Sequence, residues 1–129
     1  MNKNLQLHIQ RIGQIALPVS DLERAIAFYR DTLGIPFLFQ APPGLAFFDC
    51  AGVRLLLDAA AENGGEKRSS IIYFRVEGIE QTAEALKACG VAFESEPALI
   101  ASMPDHDLWM AFFRDPDGNL LALMDEVKQ

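Results

Sequence analysis

His106 stands between two acids, in Asp105-His106-Asp107. Imidazole is the side chain whose unperturbed pKa suits proton transfer at neutral pH, and a neighbouring carboxylate can orient it. The alternative is a solvated loop histidine. Tyr73 offers a phenol hydroxyl within an apolar strand, either as a second catalytic group or as a core residue with its hydroxyl at a rim. Arg54 and Arg75 carry planar guanidinium forks suited to a carboxylate or phosphate. They read also as surface partners of Asp58 and Glu77. Cys50 has no histidine nearby in sequence to deprotonate it, so it is not read as a nucleophile. No GxGxxG, phosphate loop or zinc spacing occurs in the chain.

These residues belong to a chain of 129 residues, one domain's worth, with 50% hydrophobic and 22% charged residues, a globular composition. The net charge of -7 supplies no basic stripe for a nucleic-acid partner. The first residues, MNKNLQLHIQR, lack the apolar core of a signal peptide, and no run reaches the roughly 18 apolar residues of a membrane span. Cys50 and Cys89 lie outside any CxxC and read as free thiols in a reducing compartment. The expectation is a soluble cytoplasmic protein.

The elements that position the candidate residues come in two copies. Gln14 to Phe37 (QIALPVSDLERAIAFYRDTLGIPF) and Ile71 to Phe93 (IIYFRVEGIEQTAEALKACGVAF) each read as strand, polar break, amphipathic helix, glycine stop and strand. Each runs on into a hydrophobic hairpin, with Gly52 and Gly118 at the turns. In the first copy Ser20-Asp21-Leu22-Glu23 fits a capping box with Ser20 as the cap, and Leu22, Ala25, Ile26, Tyr29 and Leu33 follow helical spacing. Strands are predicted at Phe37–Gln40, Leu45–Asp49 and Val53–Leu57, with turns at Pro42-Pro43-Gly44 and Cys50-Ala51-Gly52. In the second copy strands are predicted near Ile71–Val76, Val91–Glu94, Asp107–Arg114 and Leu120–Met124, with a helix near Glu80–Cys89 and an irregular loop over Pro97–Asp105. Asp115-Pro116-Asp117-Gly118-Asn119 reads as a tight turn whose polar side chains bond local backbone. The prediction is an α+β fold. Two βαβββ modules, about 11–58 and 70–126 and joined by a linker over 59–69, form a curved eight-stranded mixed sheet around a cleft. Helices cover its outer face.

The opening QIALPVSDLERAIAFYRDTLG and the later RDPDGN resemble the vicinal oxygen chelate superfamily, which includes glyoxalase I, extradiol dioxygenases, methylmalonyl-CoA epimerase and the fosfomycin- and bleomycin-resistance proteins. The resemblance covers essentially the whole chain. It implies that four strand positions point into the cleft, where metal-dependent relatives carry His, Glu or Gln. Here they are Gln14, Leu56, Ile71 and Ala122, and DPDGNLLAL stands where relatives read DPDGNxxEL. One amide and three hydrocarbons do not replace a cation's hydration shell, so no metal and no other cofactor is expected. His8 and His106 lie outside the four positions.

Strand alternation then sorts the walls. Ile15, Leu17, Val19, Leu55, Leu57, Ile72, Phe74, Val76, Leu121 and Leu123 suit packing under helices, and Trp109 falls on that side too. The opposite face carries the four positions with Arg54, Asp58, Tyr73 and Arg75. Similarity to fosfomycin-resistance proteins adds Phe112, with Met110 in register. The expected function is a metal-free binding protein whose apolar cleft takes an aromatic or acyl compound. The expected ligand contacts are Gln14, Arg54, Leu56, Ile71, Tyr73, Arg75, Met110, Phe112 and Ala122. Tryptophan at Leu56 or Ala122 is expected to block the cleft and leave the fold intact. Two alternatives stand beside this: a glyoxalase-like lyase or isomerase, or another enzyme of the superfamily, using His106 or Tyr73; and a structural or regulatory domain with a filled cleft. Open sheet edges and the family pattern imply a homodimer.

Overall fold

A computed structural model describes residues 10–60 and 70–129. Positions 61–69 of the expected linker, and His8, lie outside the described residues. The first repeat folds as β1 (Gln14–Pro18), α1 (Leu22–Ile26) running on as a π-helical segment (Ala27–Thr32), β2 (Phe37–Ala41), β3 (Leu45–Cys50) and β4 (Val53–Asp58). The second follows as β5 (Ile72–Arg75), α2 (Ile79–Ala88), β6 (Ala98–Ser102), β7 (His106–Arg114) and β8 (Leu120–Lys128). The fold is α+β, and its eight strands form two four-stranded mixed sheets, ordered β1-β4-β3-β2 and β5-β8-β7-β6. In each sheet the first strand pairs parallel with the last, and the remaining pairs are antiparallel.

The predicted alternation sets the core. Leu17, Leu55, Leu57, Phe48, Leu121, Leu123 and Phe113 are buried, as are Ala25, Ile26 and Tyr29 of the first helix and Ile79, Ala83 and Leu86 of α2. They form one cluster spanning both modules. Each sheet therefore turns its helix-packed face into a shared interior, and its other face points away from it.

Three local expectations change. The cap of α1 is Asp21, whose side chain accepts from Arg24 N at 3.2 Å. Ser20 is drawn off by the far turn: its backbone N donates to Asp117 Oδ1 at 2.7 Å and its hydroxyl bonds the same oxygen. The sixth strand lies at Ala98–Ser102, where a loop was expected, while Val91–Glu94 makes only a bridge from Phe93 to Phe113. β6 is an edge strand with a register shift between Leu99 and Ala101, and four of its five residues are exposed. A strand with neither face buried shows no burial alternation to read. Finally β8 continues to Lys128, four residues beyond its expected end, because β7 pairs with it back to His106.

The DPDGN turn does more than reverse the chain. Asp115, 4% exposed, accepts from Tyr29 Oη (2.8 Å), Asn119 Nδ2 (2.8 Å), Asp117 N (2.9 Å) and Asn119 N (2.8 Å). Asn119 Nδ2 also donates to Pro18 O at 3.0 Å, and Arg24 pairs with Asp117 at 3.3 Å. The turn of the second module is thus bolted to the strand end and helix of the first.

Candidate functional site

Pairing register decides which side chains share a row. On the open face of the first sheet, Gln14 lies opposite Arg54, which lies opposite Asp49. The next row is Ala16, Leu56, Phe47 and Phe39, with the last two rings 4.8 Å apart. On the second sheet Ala122 lies between Tyr73 and Phe112, and Met124 between Arg75 and Met110. The expected cleft residues of each module do therefore share one face.

Ala122 is fully buried. The Tyr73 and Phe112 rings on either side of it meet edge to face, 6.0 Å between centroids. A molecule on this face meets the rings before the Ala122 methyl. Tryptophan at 122 would have to displace both rings, so the expectation that it blocks the cleft without cost to the fold does not hold. Leu56, flanked by the small Ala16, is only half-buried.

The two modules meet around a cavity of about 320 Å³. Ile15, Arg54 and Leu55 line it from the first module and Ile72, Tyr73 and Arg75 from the second, with Cys50 at the hairpin end. A second cavity, of about 500 Å³, lies along β1 and brings Gln14 to Ile71. Ile15 and Ile72 line both. Of the sequence-predicted contacts, Arg54, Tyr73 and Arg75 line one cavity and Gln14 and Ile71 the other, while Leu56, Met110, Phe112 and Ala122 line neither.

The two arginines are held in different ways. Arg54 lies over the Phe47 ring, 5.7 Å from its centroid, a cation–π arrangement. Arg75 pairs with Glu126 at 3.2 Å rather than with the expected Glu77, since Glu126 lies two residues beyond Met124, its register neighbour on β8. Asp58 accepts from Ala60 N at 2.9 Å, and no ion pair joins it to Arg54 among the described residues. Burial, and then Asp49, push the Cys50 thiol pKa up, which favours the thiol over the thiolate. Cys50 and Cys89 are both free.

His106 is not brought to this cavity. It opens β7 opposite Lys128, with Nδ1 2.8 Å from Asp105 Oδ1. Four residues separate it from Met110, in the row of Arg75, or about 13 Å along the strand. The imidazole lowers the Asp105 pKa by its hydrogen bond. Trp109 packs on the core, as alternation implies.

Sequence reasoning missed Phe47 and Asp125, and it placed Tyr29 on the helix face and Asp115 in the turn without foreseeing the bond between them. Asp125 is buried in β8, and its Oδ2 accepts from Gly78 N and Ile79 N, both at 3.0 Å, capping α2 from a distant strand. One signal was available for the buried turn: Asp49 and Asp115 stand three residues before the corresponding glycines Gly52 and Gly118.

The fold and the repeat define a class, and comparison with known proteins agrees. The model of the Glyoxalase/Bleomycin resistance protein/Dioxygenase superfamily matches residues 11–123, and the chain belongs to that superfamily. It is 31% identical to the uncharacterized protein YraH of Bacillus subtilis, over 88% of this chain and 96% of that one. It is 27% identical to a bleomycin resistance protein of Geobacillus stearothermophilus, over 88% and 95% of the two chains. Its fold matches the crystal structure of a lactoylglutathione lyase from Agrobacterium tumefaciens with a TM-score of 0.69, at 24% identity, covering 91% of this chain and 94% of that one. No helix among the described residues is long and apolar enough to cross a membrane.

Proposed function

We propose that this protein binds a small molecule with an aromatic or acyl body, without a metal, as a homodimer in the cytoplasm. The observation that carries the reading is the cavity of about 320 Å³ between the modules, large enough for a small organic ligand and walled chiefly by hydrocarbon and ring surface. The similarity to a bleomycin resistance protein supports a binding role over a lyase. The metal-free reading rests on donor chemistry. Gln14 offers one amide oxygen, Leu56 and Ile71 offer none, and Ala122 is a buried methyl. These residues do not fit a divalent cation. Free Cys50 and Cys89 fit a reducing compartment. Exposed Leu38 and Phe39 on edge strand β2, and Leu99 and Ile100 on edge strand β6, favour a second copy as the cover.

A thermal-shift screen with aromatic and acyl compounds tests the reading. The expected result is stabilisation by one or more of them, from a protein of dimer mass by ultracentrifugation and without stoichiometric metal by elemental analysis. One firmly held metal per chain, lost in Gln14→Ala, would overturn the metal-free reading, and a panel giving no shift would overturn binding itself.

A further inference from the structure

We propose that the cavity between the modules selects an anion: a carboxylate head held by Arg54 and Arg75, on an apolar body lying against Ile72 and Leu55. This rests on the small-molecule reading above and names its ligand class. The chain carries 18 acidic and 11 basic residues, so an anion meets net repulsion over most of the surface. This cavity departs from that background. Two guanidinium groups, one from each module, line it, and none of its lining residues is acidic.

The surroundings hold the guanidiniums rather than consume them. The Phe47 ring, 5.7 Å from Arg54 Cζ, holds the guanidinium beside the sheet face without taking up its hydrogen-bond donors in an ion pair. Glu126 engages Arg75 through Nη2 at 3.2 Å, on a side chain that is 68% exposed. A guanidinium has five donors, so one carboxylate contact does not exhaust it. Asp49, opposite Arg54, directs its Oδ1 at Gly52 N (3.1 Å) in the adjoining turn. Arg11 donates to Gly52 O at 2.5 Å and adds a third cation near the same turn. Apolar walls beside paired forks suit a carboxylate on a ring or acyl chain, because each fork binds a planar carboxylate with two parallel hydrogen bonds.

The test uses matched probes, phenylacetate and phenylacetamide, titrated into the full chain by calorimetry at neutral pH. We expect the acid to bind about tenfold or more tightly than the amide, the preference to weaken with added salt, and Arg54→Gln and Arg75→Gln each to remove most of it. Both positions are exposed, so the variants should fold; thermal unfolding confirms this. In a Cys89→Ser background, saturating phenylacetate should slow alkylation of Cys50, which lines the cavity. If acid and amide bind equally, or the arginine variants keep the preference, the anion assignment fails while small-molecule binding stands. If Cys50 alkylation is unchanged at saturation, the anion binds elsewhere and the assignment fails. If neither probe nor any of the wider panel binds, both readings fall together.

Discussion

The two modules share one plan, yet they solve the same positions with opposite choices of size and polarity. On the open face of the first sheet a small residue flanks a large one, Ala16 beside Leu56, and Leu56 stays within reach. On the second sheet the large residues flank the small one, and Ala122 disappears beneath the Tyr73 and Phe112 rings. The hairpin turns differ in the same spirit. Asp49 is half-buried and its carboxylate accepts from Gly52 N in its own turn; Asp115 is buried and gathers four donors, one of them from the helix of the other module. Duplication supplies two equal frames. Divergence has left one turn to end a hairpin and made the other a joint.

That contrast makes Asp115 and Asp49 a matched pair for mutation, with the larger effect at Asp115. Asp115→Ala removes the acceptor of Tyr29 Oη and of three donors within the turn, all buried except the part-buried bond from Asp117 N. Loss of such a buried network should cost about 3–5 kcal/mol. Asp49→Ala loses one bond at the surface and should cost about 1 kcal/mol or less. Urea unfolding of both variants checks the ranking. Equal losses would show that the DPDGN turn does not join the modules.

The second effect is a pH slope. Tyr29 is buried, and burial first, then the charge of Asp115, raise its pKa well above the ordinary 10.0. The folded protein therefore keeps the phenol proton while the unfolded chain releases it above about pH 10, so the unfolded state binds fewer protons and stability falls as pH rises. The slope should reach about 1.4 kcal/mol per pH unit beyond that point. Cys50, with its thiol pKa also raised, adds loss in the same direction from about pH 9. In Tyr29→Phe the Cys50 contribution remains and the Tyr29 contribution vanishes. The comparison is of unfolding free energies across the alkaline range, and parallel curves for the two proteins would remove Tyr29 from the joint.

How much of this was legible follows from what each element buries. The helix-facing strands were readable because half their residues enter the core, and period two then appears directly in Ile15, Leu17, Val19 and in Leu121, Leu123. β6 was not, because Ala98–Ser102 buries neither face. The shift of the helix cap from Ser20 to Asp21 was hidden because the group that claims Ser20 lies 97 residues away. The same holds at the site. Alternation placed Arg54, Tyr73 and Arg75 on the open faces, but only the packing of the modules puts them around one cavity and leaves His106 outside it. A row such as Tyr73–Ala122–Phe112 exists only after the strands pair, so the burial of Ala122 could not be read from its spacing alone.

The smallest expected effect separates the two helix caps. Asp21 caps α1 from the adjacent position, at the surface, with one bond to Arg24 N. Gly78, the residue before α2, has φ 76 and no side chain to offer. Its place is taken by Asp125 of β8, which alternation sets on the helix side with Leu121 and Leu123, and which accepts from two helix-start amides at once. A remote cap couples helix to sheet, and its bonds are buried at Ile79 N and part-buried at Gly78 N. Asp125→Ala should therefore cost about 1–2 kcal/mol and Asp21→Ala less, about 0.5–1 kcal/mol. Hydrogen exchange adds a sharper reading than stability alone. Protection should fall across α2 and at β8 together in Asp125→Ala, but only within the first turn of α1 in Asp21→Ala. Loss of protection confined to the start of α2 would show that Asp125 acts as an ordinary cap and ties the helix to nothing.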